Sequence, residues 1–93
     1  VPEERYHFTE ETFDRLAEVE VSPISVLQVL HGGRVARRHI GSVLHIAGQD
    51  RAGTWLVVAL IEQGDDEYLV LSARYLDQEE IQAIARMRGE SHG

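Results

Sequence analysis

Ninety-three residues suit one domain with a single core, and 43% hydrophobic against 27% charged residues describes an ordinary globular chain, not a disordered one. The absence of cysteine excludes disulfides, thiolate metal sites and thiol nucleophiles, and it agrees with a reducing cytoplasm. A net charge of −7 argues against extensive phosphate contact, which needs cationic side chains.

The charge is unevenly spread. Residues 1–20 carry seven carboxylates against Arg5 and Arg15, and residues 63–93 carry seven against Arg74, Arg86 and Arg88. Between His31 and Glu62 the balance reverses, with Arg34, Arg37, Arg38, Arg51 and three histidines facing only Asp50 and Glu62. All nine cationic residues are arginine, whose fork suits phosphate, although a high-GC genome gives the same bias. The longest apolar run, Trp55 to Ile61, is far too short for a bilayer, and the acidic N-terminal stretch lacks the basic and apolar regions of a signal peptide. The expectation is a cytoplasmic protein that does not associate with membranes.

In chain order, Arg5 to Phe8 suits a short edge strand. Thr9 is an N-cap, Glu10 and Glu11 sit in the first turn where the helix dipole favours negative charge, and Phe8 and Phe13 are spaced as a hydrophobic staple. Phe13, Leu16 and Ala17 form the expected buried stripe, with Asp14, Glu18 and Glu20 as the solvated face of a helix ending near Glu20. Ser22-Pro23 opens a second helix with Ile24, Leu27 and Leu30 on its core face, and Gly32-Gly33 closes it where a left-handed residue is expected. That glycine pair ends a helix instead of opening one, so it is no phosphate loop.

Three strand candidates follow, Val35 to Ile40, Val43 to Ala47 and Thr54 to Glu62, joined by the tight turn Gly41-Ser42 and a longer glycine-bounded loop, 48–53. Residues 55–61 are apolar on both faces, which predicts an interior strand. Gly64-Asp65-Asp66 then turns into Tyr68 to Arg74, where Leu69, Leu71 and Ala73 alternate as one apolar face and Arg74 lies on the other. Asp77 as N-cap, Glu80 three residues on and the Leu76/Ile81 staple mark a last helix with Ile81, Ile84 and Ala85 on one side. The fold expected is a single α+β domain over residues 1–93: two N-terminal helices, a four-stranded antiparallel meander and a C-terminal helix, the helices covering one face of the sheet and leaving the other partly open.

Three runs now carry a family resemblance: Val43-Leu44-His45-Ile46-Ala47-Gly48, Leu56 to Glu62, and Leu71-Ser72-Ala73-Arg74 before an acidic helix start. Together they resemble the BrnT toxins of bacterial toxin–antitoxin pairs. The earlier part, from Phe13 through Val21-Ser22-Pro23 to Val29-Leu30-His31-Gly32, is similar to a related domain of unknown function with the same helix-helix-sheet order. The resemblance implies a RelE-like fold, ribonuclease activity and a cognate antitoxin as partner. Glu62 and Ser72-Ala73-Arg74 carry over residue by residue. The chain departs from the family pattern at Ser42, Val43 and Gln63, where BrnT sequences carry charges, and in being acidic where those toxins are basic.

Cleavage of RNA by its own 2′-hydroxyl needs a proton acceptor, a proton donor and cationic groups around the phosphate. His39 and His45 titrate in a suitable range. Alternation sets His45 on the polar side of its strand, together with Arg74, and Arg37 shares parity with His39. The candidate catalytic set is Arg74, His45 and His39, which alternation can group on one open face, together with Glu62, which the resemblance implies; Arg37, Arg38, Arg51 and Tyr68 are the candidate RNA contacts. Each also has a structural reading: exposed strand histidines, an Arg74 paired to Asp77 or Glu80, Tyr68 and Trp55 as rim packing. No H-E-x-x-H pattern appears, so neither a metal nor a small-molecule cofactor is expected. The alternative is a non-catalytic interaction module that keeps the fold and the partner surface. A small metabolic enzyme of unrelated kind is a third reading.

Overall fold

The computed structural model describes residues 4–32 and 34–90. Eight elements follow in order: β1 (Arg5–His7), α1 (Glu10–Glu18), α2 (Pro23–His31), β2 (Arg34–Ile40), β3 (Val43–Gln49), β4 (Trp55–Gly64), β5 (Glu67–Tyr75) and α3 (Gln78–Glu90). The α+β class and the antiparallel meander β2 to β5 are as expected, and β4 is an interior strand between β3 and β5. The strand count is corrected from four to five. Arg5–His7 joins the far edge in register with Glu67–Leu69 and runs parallel to β5, so the sheet is mixed, in the order β1-β5-β4-β3-β2.

Local chemistry sets the helix ends. The Thr9 hydroxyl accepts from the Thr12 backbone N–H and the Thr12 hydroxyl accepts from the Thr9 N–H, a reciprocal cap built on threonine, while Phe8 and Phe13 stack with ring centroids 5.6 Å apart. α1 closes with Glu20 N–H on the Ala17 carbonyl and Val21 N–H on the Leu16 carbonyl, and Glu20 takes the left-handed position, φ 57°. Ser22 caps α2 and Pro23 occupies its first turn. α2 ends at Gly32 with φ −159° and ψ −17°, so the left-handed residue expected there is not Gly32; Gly33 lies outside the described residues. Gly41, at φ 62°, opens the two-residue turn between Ile40 and Val43.

The core lies between α1, α2 and one sheet face: Leu16, Val21, Val26, Val29 and Leu30 against Leu44, Ile46, Leu56, Val58, Leu60, Val70 and Ala73. Three expected faces differ. On α2 the buried residues are Val26, Val29 and Leu30, whereas Ile24 is 65% exposed, because the helix is rotated to press Val26 and Val29 on the sheet. On α1 the buried stripe is Thr12 and Leu16, with Phe13 and Ala17 at the surface. On β5, Val70 and Ala73 enter the core: Ser72 pairs with Ala59 and Val70 with Leu60, so Leu71 is an extra residue and the alternation slips by one there.

Thr12 Oγ1 donates to the Val70 carbonyl at 2.7 Å, tying α1 to β5. α3 behaves differently from the helix expected to cover the sheet. Among the described residues it makes few contacts with any other element, and Met87 is 63% exposed. No helix among the described residues is long and apolar enough to cross a membrane.

Candidate functional site

The second sheet face carries Val57, Ala59, Ile61, Leu69 and Ser72, half-buried, with exposed Arg74. His45 pairs with Ala59, and Ala59 with Ser72, so these three form a row across β3, β4 and β5. Two strand spacings set His45 and Ser72 about 10 Å apart at the backbone. The small side chain of Ala59 leaves the floor between them open. Arg74 pairs with Val57, one step along the same face. α1 supplies Arg15 and Glu18, and its C-cap Val19, as the wall of a groove of about 410 Å³ that also includes His45, Val57, Ala59, Ser72 and Arg74.

Arg74 is held from the other side. Its Nη1 and Nη2 donate to the two Glu80 carboxylate oxygens at 2.8 and 2.7 Å, and Nη1 also donates to the Tyr75 carbonyl at 3.3 Å. Glu80 is at the same time the acid of the α3 capping box: it accepts from the Asp77 N–H at 3.0 Å, while its own N–H donates to Asp77 Oδ1 at 2.8 Å. The Arg74 hydrogen bonds, then the Asp77 N–H, hold the Glu80 carboxyl down at about 2, and Glu80 raises Arg74 in turn. The second arginine of the groove, Arg15, donates to Glu11 at 2.7 Å. Each cation in the groove thus already has a carboxylate, and Glu18 adds another negative charge.

His45 is the unusual member. Its Nδ1 is buried with no hydrogen-bond partner, in a residue otherwise part-exposed beside Ala59.

The other residues singled out in the sequence are elsewhere. His39 pairs with Leu44, which is in the core, so it stands on the opposite face from His45. There its Nε2 approaches Glu62 Oε1 at 3.5 Å. The expected grouping of His39 with His45 and Arg74 on one open face is corrected: His45 shares its groove with Arg74, whereas His39 stands on the other face, beside Glu62. The cause is the two-residue turn, which aligns Ile40 with Val43 and therefore His39 with Leu44. Arg37 lies on the face of His39 and Arg38 on that of His45. Tyr68 packs against the core, stacked on Tyr6 with centroids 5.6 Å apart, and Tyr6 meets His31 edge-on at 5.3 Å. Arg51 is on the β3–β4 loop, where its N–H donates to Gln28 Oε1. That loop and α2 bound a second groove of about 580 Å³, whose Asp50 accepts from Thr54 N–H and from Ser25, the first of these chiefly holding its carboxyl below the usual range.

Sequence reasoning missed Arg15 and Glu18, because α1 reaches the groove through the remote Thr12–Val70 bond. No cluster of three metal-ligating side chains occurs among the described residues. No family model, curated protein or solved structure matches the chain.

Proposed function

We propose that this chain is a RelE-like domain, related to the BrnT toxins, that serves as the toxin-like member of a bacterial toxin–antitoxin pair and works by binding a protein partner rather than by cutting RNA. The Arg74–Glu80 fork carries this reading. A ribonuclease needs a cation free for phosphate, and here the best-placed guanidinium has both of its outer nitrogens on a carboxylate. The separation of His39 and Glu62 from His45 removes the second half of an acid–base pair. An overall charge of −7 further disfavours approach of a polyanion.

One observation favours the ribonuclease reading instead: His45, whose buried Nδ1 has no hydrogen-bond partner, lines the same groove as the Ser72 side chain and Arg74. The two readings separate cleanly on expression of the chain in bacteria, alone and beside the product of the neighbouring gene. Partner binding predicts a stable co-purifying complex, unimpaired growth without the partner and no RNA cleavage. Growth arrest relieved by His45→Ala or Arg74→Ala in a folded protein would establish the catalyst, since general acid–base groups contribute about a hundredfold or more. Any direct RNA binding should have the shallow salt slope of about two to four phosphates.

A further inference from the structure

The sheet ends in two very different edges. On one side β1 is three residues long, whereas on the other β2 runs for seven residues, Arg34–Ile40, with no strand beyond it among the described residues. An edge strand turns alternate N–H and C=O groups outward, a template for one more strand. The side chains of residues 37–40 are all exposed, and Ile40 is 56% exposed. Neither Arg37 nor Arg38 is paired with a carboxylate among the described residues. Their registers differ in face: Arg37 opposes Ile46 on the helix-covered side, and Arg38 opposes His45 on the other.

From this geometry we infer that β2 is the docking edge for an extended acidic segment of a partner protein, added as a sixth strand. The inference rests on the partner-binding reading above and supplies where the partner sits and what chemistry it presents. Adjacent residues of an added strand point to opposite faces, so two consecutive acidic residues would meet Arg37 on one side and Arg38 on the other. An apolar residue near them would cover Ile40. A second copy of this chain is disfavoured as the occupant, because antiparallel pairing of two β2 strands centred on these residues brings arginines against arginines. A single-stranded nucleic acid is disfavoured for a different reason: lying along either face, it would meet only one of the two arginines.

The test uses the full chain and an end-capped peptide, Thr-Val-Glu-Glu-Val-Thr, with a lysine-for-glutamate analogue and an analogue carrying proline at the centre. Binding is read by fluorescence polarisation at two salt concentrations, and its location by backbone amide exchange. The expected result is salt-sensitive binding of the glutamate peptide alone, slowed exchange in β2, and a loss of about tenfold or more in Arg37→Glu/Arg38→Glu. Should that double variant lose its fold, the single change Arg37→Gln and the proline peptide provide the same comparison. Equal binding of the lysine analogue, protection outside β2, or no binding at low salt would overturn the inference. So would a ten-nucleotide oligouridylate that protects β2 where the peptide does not. A natural partner that co-purifies with wild type and with Arg37→Glu/Arg38→Glu alike would also overturn it while leaving the partner-binding reading intact.

Discussion

α1 and α3 begin with the same grammar, an N-cap whose side chain accepts from the third residue and a reciprocal bond back to the cap, yet they hold very different places in the molecule. α1 sends Leu16 into the core at 1% exposure and ties a sheet carbonyl through Thr12. α3 touches little and is moored near its first turn, where the Arg74–Glu80 fork doubles as the outer half of its cap. Capping decides where a helix starts, and apolar burial decides whether the helix belongs to the domain.

The sharpest test of that difference is truncation in the two regions. Leu30→Ala, on the buried face of α2, should cost about 2 to 5 kcal/mol in denaturant unfolding, whereas Ile84→Ala on α3 should cost about 0.5 kcal/mol or less. A comparable loss at Ile84 would mean that α3 is part of the cooperative core. Next in size, Thr12→Val should lose about 1 to 3 kcal/mol, because it strips a buried carbonyl of its donor; a neutral result would place the α1 anchorage in packing alone. In the opposite direction, Glu20→Gly should raise stability by about 0.5 to 1 kcal/mol, since a side chain at φ 57° is strained where glycine is not. Its readout is the denaturant midpoint at unchanged slope.

The smallest global effect belongs to the mooring of α3, which is best followed through α3 amide exchange. Glu80 has its folded value depressed to about 2 from the ordinary 4.5, so its contribution is complete above about pH 4.5 and disappears as pH falls toward 2. Glu80→Gln should show rapid α3 exchange at every pH and little change in melting temperature. A wild-type α3 whose exchange is indifferent to acid would contradict the fork as its anchor.

The same division explains what could be read in advance. Thr9, Ser22-Pro23, Asp77 and Glu80 announced all three helix starts, and the doubly apolar run at 55–61 announced the interior strand, because those signals lie within a few residues of what they specify. The parallel pairing of β1, the rotation of α2 and the slip at Leu71 depend on partners far along the chain, and no local pattern encodes them. At the site, His45 and Arg74 were correctly matched by alternation. His39 was misplaced although the information was present: a two-residue turn at Gly41-Ser42 aligns 40 with 43, which forces His39 opposite Leu44 and onto the other face from His45.

β1 also sets a schedule. Arg5 pairs with Glu67, Tyr6 with Tyr68 and His7 with Leu69, so the first strand can find its place only after the last one has been made. At roughly 5 to 20 residues per second, a ribosome takes about 3 to 12 s to cover the intervening stretch. For that interval the N-terminal segment and α1 have no β5 to rest on, and at its end the newly made strand Trp55–Gly64 has one side unpaired until β5 follows. Synthesis of the final third of the chain therefore closes the sheet at both of these places at once, and the nascent protein is most open to a chaperone or a partner in the seconds before it does.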